Sequence, residues 1–119
     1  MTSAQSTNRD STLAPAYQGF LQQLAAIPPG RVCTYGVLAQ LAGQARGARL
    51  IARWLSHLPA DTRLPWHRVI NARGQLSLDK NSDSGREQYQ RLLAEGIIAR
   101  NGRIDLAQVG WPRAYFTSL

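Results

Sequence analysis

The segment from Thr34 to Leu58 constrains the fold most tightly, because it spells two short helices and the turn between them. Thr34 has a hydroxyl that can accept from the amides of a first helical turn, so it predicts a cap for a helix over Tyr35 to Ala42 that buries Val37, Leu38 and Leu41. Gly43 supplies the stop. A second helix is expected to begin near Arg46 or Gly47 and to run to about His57. At about 100° per residue, Leu50, Ile51, Trp54, Leu55 and Leu58 share one broad arc and Arg46, Arg49 and Arg53 lie opposite, with Ala48, Ala52 and Ser56 between them. Such a pair, with arginines and small residues on the second helix, is the pattern of a DNA-binding helix-turn-helix. A plain helical hairpin with solvated arginines fits this segment equally well.

Around it the chain reads as a small, mostly helical α/β domain. Tyr17, Phe20, Leu21, Leu24 and Ile27 fall on one helical face, which Pro28-Pro29-Gly30 ends. Val69-Ile70 predicts a short strand, Asn71 to Gly74 a turn, and Gln75 to Leu78 a weak return strand. Ser84-Gly85-Arg86-Glu87 fits a capping box that opens a helix to about Glu95, with Tyr89, Leu92 and Leu93 inward. Asn101-Gly102 between Ile97-Ile98-Ala99 and Arg103 to Leu106 predicts a hairpin. With no repeat and no linker, one domain over 15–119 is expected, preceded by a disordered tail over 1–14, a polar stretch rich in Ser and Thr.

The formal net charge is +7, and thirteen of the fourteen cations are arginines. Guanidinium groups pair phosphates bidentately and stack on bases, so this bias points towards nucleic acid, although charge alone leaves a merely solvated basic surface equally open. The tail lacks the apolar stretch of a signal peptide, and no segment approaches the roughly 20 apolar residues of a membrane span. A cytoplasmic location is therefore expected, and the lone Cys33 agrees with it. One Cys and two His, His57 and His67, cannot close a zinc site without distant carboxylates, so neither metal nor other cofactor is expected. Cys33, beside Val32 at a helix start, reads as a small buried hydrophobe and not as a catalytic thiol.

One tetrapeptide carries more chemistry than the rest. Pro65-Trp66-His67-Arg68, followed by Val69-Ile70, resembles the Pro-Cys-His-Arg motif of the DNA-repair O6-alkylguanine alkyltransferases, with Trp66 where their alkyl-accepting cysteine stands. An indole offers one N–H donor and no nucleophile, so the match is to the alkyltransferase-like, non-catalytic branch. The resemblance runs from about Tyr17 to Ile98. Arg31 to Gly36 with Leu38 to Gly43 is similar to the family's first DNA-binding helix, and Ala48-Arg49-Leu50-Ile51 to its recognition helix. Two of the family's features are absent: its Asn-Pro appears as Leu58-Pro59, and its Gly-Asn-Tyr-Ser-Gly-Gly closing loop as Ser77 to Asn81.

The resemblance implies a fold like the alkyltransferase C-terminal domain, a winged-helix-like helix-turn-helix that docks in the minor groove. It further implies binding of duplex DNA containing O6-alkylguanine by base flipping, without alkyl transfer, by a monomer that is nucleoid-associated when bound and hands the lesion to nucleotide excision repair proteins. Thr34, Tyr35, Arg46, Ala48, Arg49 and Arg53 would meet DNA, with Tyr35 turning the nucleotide outward and Arg49 filling the vacated stack. Trp66, His67, Arg68 and Val69 would shape the lesion pocket, and His67 with Glu95 would persist as a structural pair once there is no thiol to activate. The alternative from another class is a helix-turn-helix transcriptional regulator with no lesion pocket. Such regulators usually dimerise, and no apolar stripe is left over here for a dimer interface.

Overall fold

The computed structural model describes residues 15–76, 78–79 and 81–117, so the expected tail over 1–14 lies outside the described residues. Helix α1, Pro15–Ala26, buries Phe20 and Leu24, and Ile27 just beyond its end completes the apolar row. Strand β1, Cys33–Thr34, leads directly into α2, Tyr35–Leu41. Thr34 caps α2 as its side chain dictates: Oγ1 accepts from the Val37 amide at 3.2 Å. After the turn at Gly43, which has a φ of 77°, α3 covers Ala48–Ser56 and turns Ile51 and Trp54 into the core.

Helices α1, α2 and α3 pack on one another around a cluster of Phe20, Leu24, Leu38, Ile51 and Trp54. Tyr17 meets Trp54 edge-on, with ring centroids 5.2 Å apart. Strand β2, Val69–Ile70, pairs with β1 in parallel, Cys33 opposite Val69 and Thr34 opposite Ile70. Successive residues of a strand face opposite sides, and here that alternation divides the interior. Cys33 and Val69 join the helical cluster, whereas Val32 and Ile70 join a second cluster with Leu92, Ile97, Ile104, Leu106 and Phe116. Helix α4, Asp83–Ala94, and the short α5, Leu106–Val109, supply part of that second cluster.

Several expectations are corrected. Arg46 does not begin α3: it precedes the helix in a left-handed conformation, φ 65°, and Gly47 is the cap residue. Gln75, Leu76 and Leu78, the described residues of the expected return strand, lie in no strand, although the turn before them forms, with Asn71 Oδ1 accepting from the Arg73 and Gln75 amides, both at 2.9 Å. Strand β2 has instead taken a distant parallel partner. Helix α4 is capped two residues before the expected box, by Ser82, whose Oγ accepts from the Gly85 amide at 3.0 Å. Its inward residues are Gly85, Gln88 and Leu92; Leu93 is exposed and Tyr89 only half-buried. The Asn101-Gly102 turn closes one bridge, Arg100 to Arg103, with no longer hairpin strands.

Candidate functional site

The turn that carries the sequence motif is a 3-10 segment, Trp66–Arg68, placed between the end of α3 and β2. Its side chains divide between two environments. Trp66 and Val69 line a cavity of about 430 Å³, together with Tyr35 of α2 and Ala52, Leu55 and Ser56 of α3. Leu78 and the α4 residues Ser84, Glu87 and Gln88 also line this cavity. A space of that size, lined by apolar and polar side chains in comparable measure, can take a small-molecule-sized ligand group. Within Ser77 to Asn81, the segment that stands in place of the family's closing loop, Leu78 lines the cavity, while Ser77 and Lys80 lie outside the described residues.

His67 and Arg68, expected to shape the pocket, are instead turned behind it. Glu95, at the end of α4, receives His67 Nε2 at 2.8 Å, Arg68 Nε at 3.0 and 3.1 Å and Nη2 at 2.6 Å, and the Gly30 amide at 3.0 Å. Arg68 Nη1 donates to the Ile27 carbonyl at 2.8 Å. The structural pair is thus a larger network that ties the motif turn to the loop after α1 and to the end of α4. Gln88 adds a second tie from below: its side chain is buried, and Nε2 donates to the Val69 carbonyl at 3.1 Å and the His67 carbonyl at 3.3 Å.

Burial pushes the Glu95 carboxyl up, but Arg68, His67 and the Gly30 amide outweigh it and bring the pKa down to about 2. Burial lowers the pKa of His67 below its ordinary value, against the opposing pull of Glu95. Neutral His67 therefore donates from Nε2, leaving Nδ1 buried without a partner. Both shifts act in one direction. The stability that neutral His67 contributes is present above its unfolded value near 6.5 and is lost as pH falls through the lowered folded value. That of ionised Glu95 is present above about 4.5 and is lost as pH falls through about 2. Denaturant unfolding midpoints should accordingly decline from pH 7 to pH 3, and a flat profile would contradict the network.

Cys33 is fully buried, and burial pushes its thiol up to about 12. A thiol so buried and so fully protonated is not a nucleophile. Among the described residues no group of three or more His, Cys, Asp or Glu is placed to hold a metal ion, and no helix is long and apolar enough to cross a membrane.

On the outside of α3, Arg49 and Arg53 are exposed on the same side as Ala52, which also lines the cavity. Arg46 is exposed in the preceding turn, and Ala48 is half-buried. The expected surface contact at Thr34 is corrected: it is buried and occupied as a cap, so Tyr35 is the residue of that pair that reaches the cavity. The α4 wall of Ser84, Glu87 and Gln88 escaped sequence reasoning. Their spacing places them on one helical face, but a polar face reads by default as solvated.

Residues 15–97 match the family model described as the DNA-binding domain of 6-O-methylguanine DNA methyltransferase. The Escherichia coli (strain K12) protein named DNA base-flipping protein is 46% identical over 91 residues, which cover 76% of this chain and 69% of that protein. Alkyltransferase-like protein 1 of Schizosaccharomyces pombe is 38% identical over 81 residues, covering 68% of this chain and 75% of that one. The crystal structure of S. pombe Atl1 in complex with damaged DNA containing O6-carboxymethylguanine superposes with a TM-score of 0.74 at 33% identity, over 81% of this chain and 94% of that one. A mostly helical domain with a two-stranded parallel sheet, a helix-turn-helix and these relatives together place the chain in the family of the 6-O-methylguanine DNA methyltransferase DNA-binding domain, among its alkyltransferase-like proteins.

Proposed function

We propose that the protein binds duplex DNA containing O6-alkylguanine, holds the alkylated base outside the helix in the cavity beside Trp66, and leaves the alkyl group in place. The observation that carries this reading is the adjacency of the two surfaces: the small residues Ala52 and Ser56 belong both to the cavity wall and to the helix that presents Arg49 and Arg53. A base leaving the stack beside α3 would have this half-open cavity beside it. Arg53 and Arg46 neutralise phosphates, Arg49 fills the vacated stack, and Tyr35 stands at the cavity wall to turn the nucleotide.

Two features support binding without transfer. The residue that the motif resemblance puts at the attack position is an indole, and the one thiol of the chain is buried within β1. The Arg68–Glu95–His67 network then has only the task of fixing the turn. The protein acts as a monomer in the cytoplasm, nucleoid-associated when bound, and a binder that does not repair passes the lesion to excision repair proteins.

The test compares affinity for one duplex with and without a single O6-methylguanine. Tighter binding of the lesion duplex is expected. Arg49→Ala should lose more affinity for the lesion duplex than for the intact one, whereas Arg53→Ala should weaken both alike, because a phosphate contact carries no information about the base. Equal affinity for the two duplexes in the wild-type protein would refute the reading.

A further inference from the structure

Trp66 is held from outside the cavity by a residue that no motif identifies. Arg91 lies over the indole, its Cζ 5.5 Å from the ring centroid. Arg91 is itself held by Glu87, one helical turn earlier on α4, through an Nη2–Oε2 contact of 2.6 Å. His67 meets the same indole edge-on, with centroids 6.1 Å apart and planes at 85°. The indole is therefore fixed by a guanidinium over the ring and an imidazole against it. An exposed ion pair such as Glu87–Arg91 adds little to folding stability. Glu87 lines the cavity, and its hold on Arg91 sets the guanidinium where it fixes the plane of the ring.

We infer that Arg91 is a positioning residue for lesion recognition: it presets the Trp66 indole as a stacking surface for the flipped base, with Glu87 as the brace that orients it. This rests on the lesion-binding reading above and adds to it a determinant of specificity outside the motif. A long cation over an indole is worth a modest amount at a half-exposed site, which corresponds to a factor of about 2 to 5 in binding. The contact needs a positive charge over the ring, so lysine should largely replace arginine and alanine should not.

The experiment measures the affinity ratio between O6-methylguanine and intact duplexes for wild type, Arg91→Ala, Arg91→Lys and Trp66→Ala, and for the double variant Trp66→Ala/Arg91→Ala. In parallel, the 19F resonance of 5-fluorotryptophan at position 66, assigned by its loss in Trp66→Phe, is recorded in the free protein. Arg91→Ala should lower the ratio by about 2- to 5-fold and shift the resonance, Arg91→Lys should restore most of both, and the double variant should lose no more than Trp66→Ala alone. A ratio unchanged in Arg91→Ala overturns the inference, as does an equal loss on the two duplexes, which would make Arg91 a phosphate ligand. A wild-type ratio of one would remove the lesion reading itself, whereas a large ratio that Arg91→Ala leaves intact removes only the role of Arg91.

Discussion

Glu95→Ala is expected to lower the unfolding free energy by about 3 to 5 kcal/mol, the largest loss anticipated for a single substitution in this chain. The reason is what the substitution leaves behind. Glu95 and Arg68 have side chains only 16% and 14% exposed, and the carboxylate answers donors from Arg68, His67 and the Gly30 backbone at once. Without it a guanidinium stays buried with no counter-charge, and removing one partner of a buried pair costs far more than the pair contributes. The loop after α1, the motif turn and the end of α4 also lose their common anchor. Urea denaturation at pH 7 checks this, and a loss below about 1 kcal/mol would mean that water replaces the carboxylate freely.

Trp66→Ala is expected to have the largest effect on recognition. It should lower the preference for O6-methylguanine duplex over intact duplex by about 1 to 3 kcal/mol, the value of one stacking surface against a base. Affinity for intact duplex should change little, because Trp66 belongs to the cavity lining, whereas Arg49 and Arg53, the residues that would meet the intact duplex, do not. Titrations of the two duplexes check this. An unchanged preference would return Trp66 to a packing role in the cavity wall.

The helix-turn-helix was legible in the sequence because local signals set it: the Thr34 hydroxyl, the apolar period of α3, and Gly43 at a left-handed stop. The partner of Val69-Ile70 was not. A two-residue strand carries no alternation long enough to name its neighbour, and the neighbour is Cys33–Thr34, far away in the chain and parallel. Ser82 and Ser84 are both able to cap α4, and Ser82 does so, its hydroxyl accepting from the Gly85 amide and donating to the Asp79 carbonyl. Gly85 itself lies so close to that carbonyl that a Cβ there would overlap its oxygen. Local pattern cannot show such an approach.

The site was legible in the same uneven way. Resemblance named Tyr35, Trp66 and Val69, and they share one cavity. It grouped His67 and Arg68 with them, yet both are committed to Glu95, because a buried cation and a buried imidazole need a carboxylate more than an open cavity wall. Arg91 and Gln88 had no signal at all, since their roles depend on what the motif turn brings against α4.

The most direct test of binding without transfer follows the alkyl group itself. DNA labelled on the O6-alkyl group of one guanine is incubated with excess protein under conditions where the complex forms, then denatured, and the label on DNA and on protein is measured by mass spectrometry. The account predicts that every label remains on the DNA while the duplex is bound. Stoichiometric label on Cys33, or on any other residue, would contradict it.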